Sequence, residues 1–150
     1  MRMFLEDEAA TTALAERFRA ALPESLSGLT VLLVGELGAG KSTFARGLIK
    51  AMGHKGPVPS PTYTLVEPYH LQSGIIYHVD LYRVSSVEEL RFLGWNELDD
   101  GLRLVEWPDR APELAKSADV QLTLSYDGAG RSVQLDGLSA QGQELIADIN

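Results

Sequence analysis

A chain of 150 residues, 45% hydrophobic and 23% charged, holds one domain with a real core and leaves little for accessories. Its formal net charge of −8 argues against unaided binding to nucleic acid, which depends on Lys and Arg neutralising phosphates. Without cysteine it builds neither disulfides nor thiolate metal sites; residues 1–22 lack the apolar run of a secretory signal and no later run is long enough to span a bilayer, so a cytoplasmic, non-membrane address is expected.

Residues 3–5 read as a short edge strand. From Asp7 the pattern turns helical, with Leu14, Phe18, Ala21 and Leu22 on one face, the acids Glu6, Asp7 and Glu8 at the start where they complement the helix dipole, and Pro23 as the stop. Thr11 and Thr12 near the start of that helix are candidates to face a ligand. Residues 29–34, Leu-Thr-Val-Leu-Leu-Val, form a short apolar run that reads as a buried strand.

The next stretch carries the chemistry. Gly35-Glu36-Leu37-Gly38-Ala39-Gly40-Lys41-Ser42, followed by Thr43, satisfies every fixed position of G-x-x-x-x-G-K-[ST]. Glycines let the backbone wrap a polyphosphate closely, and the exposed N–H groups with the following helix N-terminus offer oriented positive ends to an anion. Lys41 adds a mobile charge and Ser42 a hydroxyl for a magnesium ion. Phe44, Leu48, Ile49 and Met52 then recur at helical spacing and Gly53 suits a helix end, so the motif has the strand–loop–helix context it requires. A nucleoside triphosphate site follows.

Three prolines within residues 54–62 impose an extended connector. Residues 63–70 and 75–82 read as two strands joined by a turn at 71–74, with the second ending at Asp80. Ser85 with Glu88, or Ser86 with Glu89, offers a capping box before the apolar positions Val87, Leu90 and Leu93, and Gly94 closes that helix. Asp99-Asp100-Gly101 turns the chain into a strand at 102–105 that runs out at Glu106-Trp107-Pro108. Val120, Leu122, Leu124 and Tyr126 alternate with polar residues, and a turn at 127–130 leads into 132–135, an antiparallel C-terminal hairpin. Residues 139–149 read as a last helix. The sum is one α/β domain over residues 1–150, of the P-loop NTPase-like three-layer kind with a mixed sheet.

A triphosphate site needs a carboxylate to hold the metal and position water, and in such sheets the acids stand at the C-terminal ends of buried strands beside the phosphate loop. Asp80 and Glu106 both qualify, and spacing alone does not divide the two roles between them. Thr62, a hydroxyl on the connector, is a candidate to order around the terminal phosphate. His78 reads as a sheet residue, since no second histidine stands at metal-ligand spacing, and Trp95 and Trp107 read as core aromatics, the latter close enough to Glu106 to feel the nucleotide state.

These blocks resemble the TsaE (YjeE) family, small bacterial P-loop ATPases required for threonylcarbamoyladenosine formation in tRNA. The resemblance lies in residues 35–43, in Ser60-Pro61-Thr62-Tyr63-Thr64-Leu65-Val66, in His78-Val79-Asp80-Leu81-Tyr82-Arg83 and in Val105-Glu106-Trp107-Pro108. It departs at Ser42, where the family usually has threonine, and it is loose at both ends. The resemblance implies ATP and Mg2+ as cofactors, with Gly38, Ala39, Gly40, Lys41, Ser42 and Thr43 around the phosphates and Ser42 with Glu106 on the metal. It implies Asp80 near the terminal phosphate and the water, so that Lys41, Asp80 and Glu106 form the catalytic set, and Gly130, followed by Arg131, near the nucleotide. It also implies that ATP hydrolysis drives turnover of a TsaB–TsaD assembly, supplied by TsaC with threonylcarbamoyl adenylate, so that tRNA is met only indirectly.

Three other functions compete. A small-molecule P-loop kinase needs an acceptor lobe and an Arg-bearing lid for which little chain remains. A GTP switch needs the N-K-x-D pattern, and Asn96-Glu97-Leu98-Asp99 lacks its lysine. A nucleotide-sensing binding module, with incidental hydrolysis, differs from the ATPase mainly in rates.

Overall fold

The apolar run after Leu29 becomes the central strand because it is buried on both sides: Val31 and Leu33 enter one core, Leu32 the other, and all three are buried. The computed structural model describes residues 1–149, the Val87 side chain excepted. In chain order the elements are β1 (Arg2–Leu5), α1 (Glu8–Ala21), β2 (Thr30–Gly35), α2 (Lys41–Ala51), β3 (Val66–Leu71), β4 (Gly74–Asp80), α3 (Val87–Phe92), β5 (Leu102–Glu106), β6 (Val120–Asp127), β7 (Gly130–Gly137) and α4 (Ala140–Asp148). Short 3-10 segments at Trp95–Asp100, Pro108–Arg110 and Pro112–Lys116 fill the connections.

One sheet runs β1-β7-β6-β2-β5-β4-β3. Its middle is parallel, β4 with β5, β5 with β2 and β2 with β6, while β3, β7 and β1 pair antiparallel to their neighbours. The larger core joins α1, α2 and α4 to one face, and the smaller core packs α3 and the 3-10 segments on the other, giving three layers. Phe18 of α1 and Phe44 of α2 meet edge to face at 5.5 Å, a contact worth about 1 kcal/mol beyond the burial of the two rings. Among the described residues no helix is long and apolar enough to cross a membrane.

Most expected elements are present, with Asp7 as the N-cap of α1, its carboxylate accepting the Ala10 N–H at 2.9 Å. Ser86 caps α3, and Glu89 reaches back to the Ser85 N–H and hydroxyl, so both expected serines take part; the Val87 side chain lies outside the described ones. The strand expected from residue 63 begins at Val66. Residues 61–64 form a turn closed by Leu65 N–H on the Pro61 carbonyl at 2.7 Å, with Leu65 at φ 68°. Pro68 is tolerated within β3 because β3 is the sheet's edge. The following strand ends at Asp80 as expected, where the Leu81 N–H turns to the Glu106 carbonyl. Trp95–Asp100 is a 3-10 segment that runs into the turn expected at 99–101. Tyr126 keeps the alternation of Leu122 and Leu124 but lies half exposed near the end of β6.

Asp119, buried at the foot of β6, ties three elements together. One carboxylate oxygen accepts the Thr30 N–H at 2.9 Å and the other the Ser139 hydroxyl at 2.7 Å, while its carbonyl accepts the Leu138 N–H. Ser139 is in turn the N-cap of α4, taking the Gly142 N–H at 3.0 Å.

Candidate functional site

β2, β4, β5 and β6 are parallel to one another, so their C-terminal ends share one edge, and the loop after β2 crosses that edge. Register sets the acids: Glu106 lies opposite Leu33 of β2 and Asp80 opposite Glu106. Both carboxylates are buried, and together with Ser60, Thr62, Trp107, Gly38, Gly40, Lys41, Ser42 and Thr43 they line one cavity of about 290 Å³. The residues singled out from sequence as catalytic or metal-binding therefore come together. Ala39, a buried residue of the loop, and Gly130 line a neighbouring cavity of about 140 Å³ with Asp7, Thr11 and Arg131. Thr12 instead faces the groove between α1 and α2.

The loop backbone is bent for close approach, with Gly38 at φ 81° and Gly40 at φ 112°, conformations that β-carbons disfavour. Gly40 is the N-cap of α2 and has no side chain to take the first N–H groups of the helix, which stay directed out of its N-terminus. Gly130 has a packing reason of its own, since a Cβ there would lie 2.6 Å from the Leu5 carbonyl oxygen and against the Phe4 ring.

Lys41 is buried and folds back on its own loop, donating to the Gly35 carbonyl and, at 3.3 Å, to that of Glu36. Its ammonium stands 3.9 Å above the Trp107 ring. Burial pushes the lysine below its ordinary value, opposed by the nearby Glu106, Asp80 and Asp109. Trp107 adopts φ 58°, costly for a bulky residue, and packs on Tyr82 with ring centres 5.0 Å apart. It is partly buried against the smaller core, as is Trp95, so both tryptophans are packed aromatics.

The two acids are held differently. Asp80 accepts the Tyr82 N–H at 2.9 Å on one oxygen and the Thr62 hydroxyl at 3.0 Å on the other, and Thr62 is linked to Ser60 at 2.7 Å. Glu106 meets His78 Nε2 at 2.6 Å and accepts the Ser42 hydroxyl at 3.3 Å. His78 is the sheet residue its context indicated, but its function in the site was missed: buried two positions before Asp80, it shares the Asp80 parity and so points at Glu106. The readable signal was a histidine inside an otherwise apolar buried strand. Tyr126 and Arg131 were also underweighted. The Tyr126 hydroxyl donates to the Leu37 carbonyl at 2.6 Å and Arg131 Nη2 to that of Gly38 at 3.2 Å. Of the other arginines near motifs, Arg46 is exposed on α2 and Arg83 stacks over Tyr63 at 4.7 Å.

The arrangement sets the uncapped N-terminus of α2 and a lysine beside a hydroxyl and two carboxylates, which suits a polyanion next to a hard cation. Among the described residues no three His, Cys, Asp or Glu cluster tightly enough to hold a metal alone.

Comparison with known proteins agrees in fold and sequence. The crystal structure of a Bacillus protein, YdiB, superposes with a TM-score of 0.77 over 99% of this chain and 93% of that one, at 24% identity. A tRNA threonylcarbamoyladenosine biosynthesis protein TsaE from Haemophilus influenzae is 39% identical over 121 residues, covering 79% of this chain and 77% of that protein. Its namesake from Aquifex aeolicus is 41% identical over 72% of this chain and 77% of its own length. That from Nostoc is 33% identical over 97% and 91%. The family model for threonylcarbamoyl adenosine biosynthesis protein TsaE matches residues 5–133, and with these relatives it establishes that the chain belongs to the TsaE family.

Proposed function

We propose that this protein is a cytoplasmic, single-domain, magnesium-dependent ATPase whose hydrolysis drives turnover of a TsaB–TsaD-like assembly in the threonylcarbamoyladenosine modification of tRNA. The observation that carries the reading is the convergence of Lys41, Ser42, Asp80 and Glu106 on one cavity at the mouth of the phosphate loop. The donor set fits the metal: a hydroxyl and a carboxylate already 3.3 Å apart are oxygen ligands, and magnesium is commonly bound by one or two carboxylates plus substrate phosphates. Ser42 and Glu106 would hold the ion, which supplies positive charge to the terminal phosphates.

The remaining work falls to the chain. Backbone N–H groups from Gly38 to Thr43 bind the phosphates, and Lys41 leaves its loop carbonyls to neutralise charge there. His78 fixes one oxygen of Glu106 so that the other faces Ser42. Asp80 orients the attacking water, and the connector bearing Thr62 closes over it. Gly130 borders the nucleotide beside the cavity that Thr11 and Asp7 line. A nucleotide-sensing module remains the second reading, favoured by the self-satisfied Lys41 and the bent Trp107; a kinase has no observation in its favour.

Glu106→Gln should weaken magnesium-dependent turnover more than metal-free nucleotide binding, because the amide loses the charge a hard cation favours. Asp80→Asn should mainly slow hydrolysis. Turnover and nucleotide affinity measured across a magnesium series separate the two, and the reverse pattern would exchange their roles. Trp107 should report the nucleotide, since Lys41 must leave its indole to reach phosphate. In a Trp95→Phe protein, titration with ATP and magnesium should change the emission of the remaining indole; silence with independently confirmed binding would place Trp107 outside the response.

The deciding experiment measures ATP hydrolysis alone and with a purified TsaB–TsaD assembly. Slow turnover alone and an increase of about a thousandfold is expected if the assembly completes charge stabilisation, as partner arginines do in other P-loop proteins. The 60–63 connector and the Trp107 corner border the site and are the expected contact surface. ATP should strengthen association, and the assembly should strengthen ATP binding by the same factor. Equal rates and equal partner affinities with and without nucleotide would overturn the reading.

A further inference from the structure

We propose that the β6–β7 hairpin is a clamp that holds the phosphate loop open for its ligand, with Tyr126 and Arg131 as positioning residues. The proposal rests on the reading of residues 35–42 as a phosphate-binding loop. A loop that turns N–H groups inward turns some carbonyls outward, where a side-chain donor can hold them in place of water. Here the Leu37 carbonyl takes the Tyr126 hydroxyl at 2.6 Å and the Gly38 carbonyl takes Arg131 Nη2 at 3.2 Å. Two successive peptide units at the crown of the loop are thus pinned from outside.

The two donors brace each other. Tyr126 and Arg131 are directly opposite in the hairpin register, and the guanidinium stacks over the phenol ring at 4.3 Å. Arg131 is fixed further by Nη1 on the Gly130 carbonyl at 2.8 Å and by the pairing of its backbone position with Leu5 of β1. The frame is continuous with the loop's origin, because β6 pairs with β2 up to Leu124 opposite Gly35. Gly38 is matched to the clamp as well: a Cβ there would lie 2.7 Å from the Tyr126 hydroxyl oxygen.

A glycine-rich loop loses much conformational freedom when it orders around a ligand, so a frame that orders it beforehand lowers the cost of binding. The clamp therefore acts on affinity more than on chemistry. Tyr126→Phe keeps the ring and the stacking and removes one donor; Arg131→Ala removes the other, and Arg131→Lys keeps a charged donor on a flexible stem. Both carbonyls belong to exposed residues that water can reach, so melting temperature should hardly change.

The test measures calorimetric affinity for inorganic triphosphate and for a non-hydrolysable ATP analogue with magnesium, alongside kcat, KM, melting temperature and amide exchange of residues 36–40. Tyr126→Phe and Arg131→Ala should each weaken both ligands about two- to tenfold, the weight of one net hydrogen bond. KM should rise by more than kcat falls, loop amides should exchange faster, and Arg131→Lys should recover part of the affinity. Wild-type affinity in both variants would overturn the clamp alone. A loss of melting temperature that tracks the loss of affinity would also overturn it, by assigning the pair to general stability. Failure of the wild-type protein to bind either probe would overturn the phosphate-loop reading and the clamp with it.

Discussion

Lys41→Ala should lower ATP turnover by about a hundredfold or more while leaving a cooperatively folded protein. The ammonium is the mobile charge nearest the loop, ringed by Glu106, Asp80 and Asp109, and the cavity it borders has no other lysine on its wall. Its folded-state pKa is pushed down by burial, so over the pH range below the ordinary lysine value the unfolded chain holds the proton more firmly. Stability from this group therefore rises as pH climbs from the depressed value towards the ordinary one. Near neutrality the charge on the lysine is less favourable in the folded chain than in the unfolded one. Alanine removes that charge along with two bonds to loop carbonyls, so the melting temperature should be unchanged or slightly higher. Paired measurements of turnover and thermal unfolding decide the matter: normal turnover would end the ATPase assignment, and loss of cooperative melting would make Lys41 a structural residue.

Gly142→Ala should be the most destabilising glycine-to-alanine change in the chain, by about 3 kcal/mol or more. A Cβ at Gly142 would overlap the carbonyl oxygen of Asp119, a backbone atom that no rotamer change can clear. Either α4 must lift from β6 or the Asp119 peptide must turn. Turning it breaks the bond from the Leu138 N–H and disturbs the carboxylate that serves Thr30 and Ser139. The loss would be felt at the feet of β2 and β6, far from the loop, so denaturant unfolding should shift strongly while nucleotide affinity of the folded fraction stays near wild type. A shift under about 1 kcal/mol would mean that α4 docks more loosely than its contacts indicate.

The contrast between these residues shows what each level of description supplies. Lys41 is legible from the chain alone because its chemistry is local: a strand, a glycine-rich bend and a helix N-terminus are consecutive, and fixed spacing encodes their geometry. The same holds for the Asp7 and Ser86 caps and for the buried run of β2, where side-chain type and period act over a few residues. Asp80 and Glu106 were legible as strand-end acids, but not their difference, because it comes from neighbours distant in sequence. His78 reaches Glu106 across 28 positions, and Thr62 reaches Asp80 across 18.

The contacts of Gly142, Tyr126 and Arg131 have no local signal, although the resemblance had placed Arg131 near the nucleotide. Gly142 looks like an ordinary helix glycine until α4 lies on Asp119, and Tyr126 looks like one more inward residue until its hydroxyl meets the Leu37 carbonyl. The late start of β3 at Val66 has the same origin, since the connector is held down by Thr62 on Asp80 and by the Asp80 N–H on the Leu65 carbonyl. Local sequence thus determined the glycine-rich loop and the order of the elements, for these follow from short-range sterics, hydrogen bonding and periodicity, while the family was legible through the resemblance of its motif blocks. Tertiary structure alone decided how each acid is held, what pins the loop and where a methyl group cannot go, because those depend on sheet register bringing together atoms up to 93 residues apart.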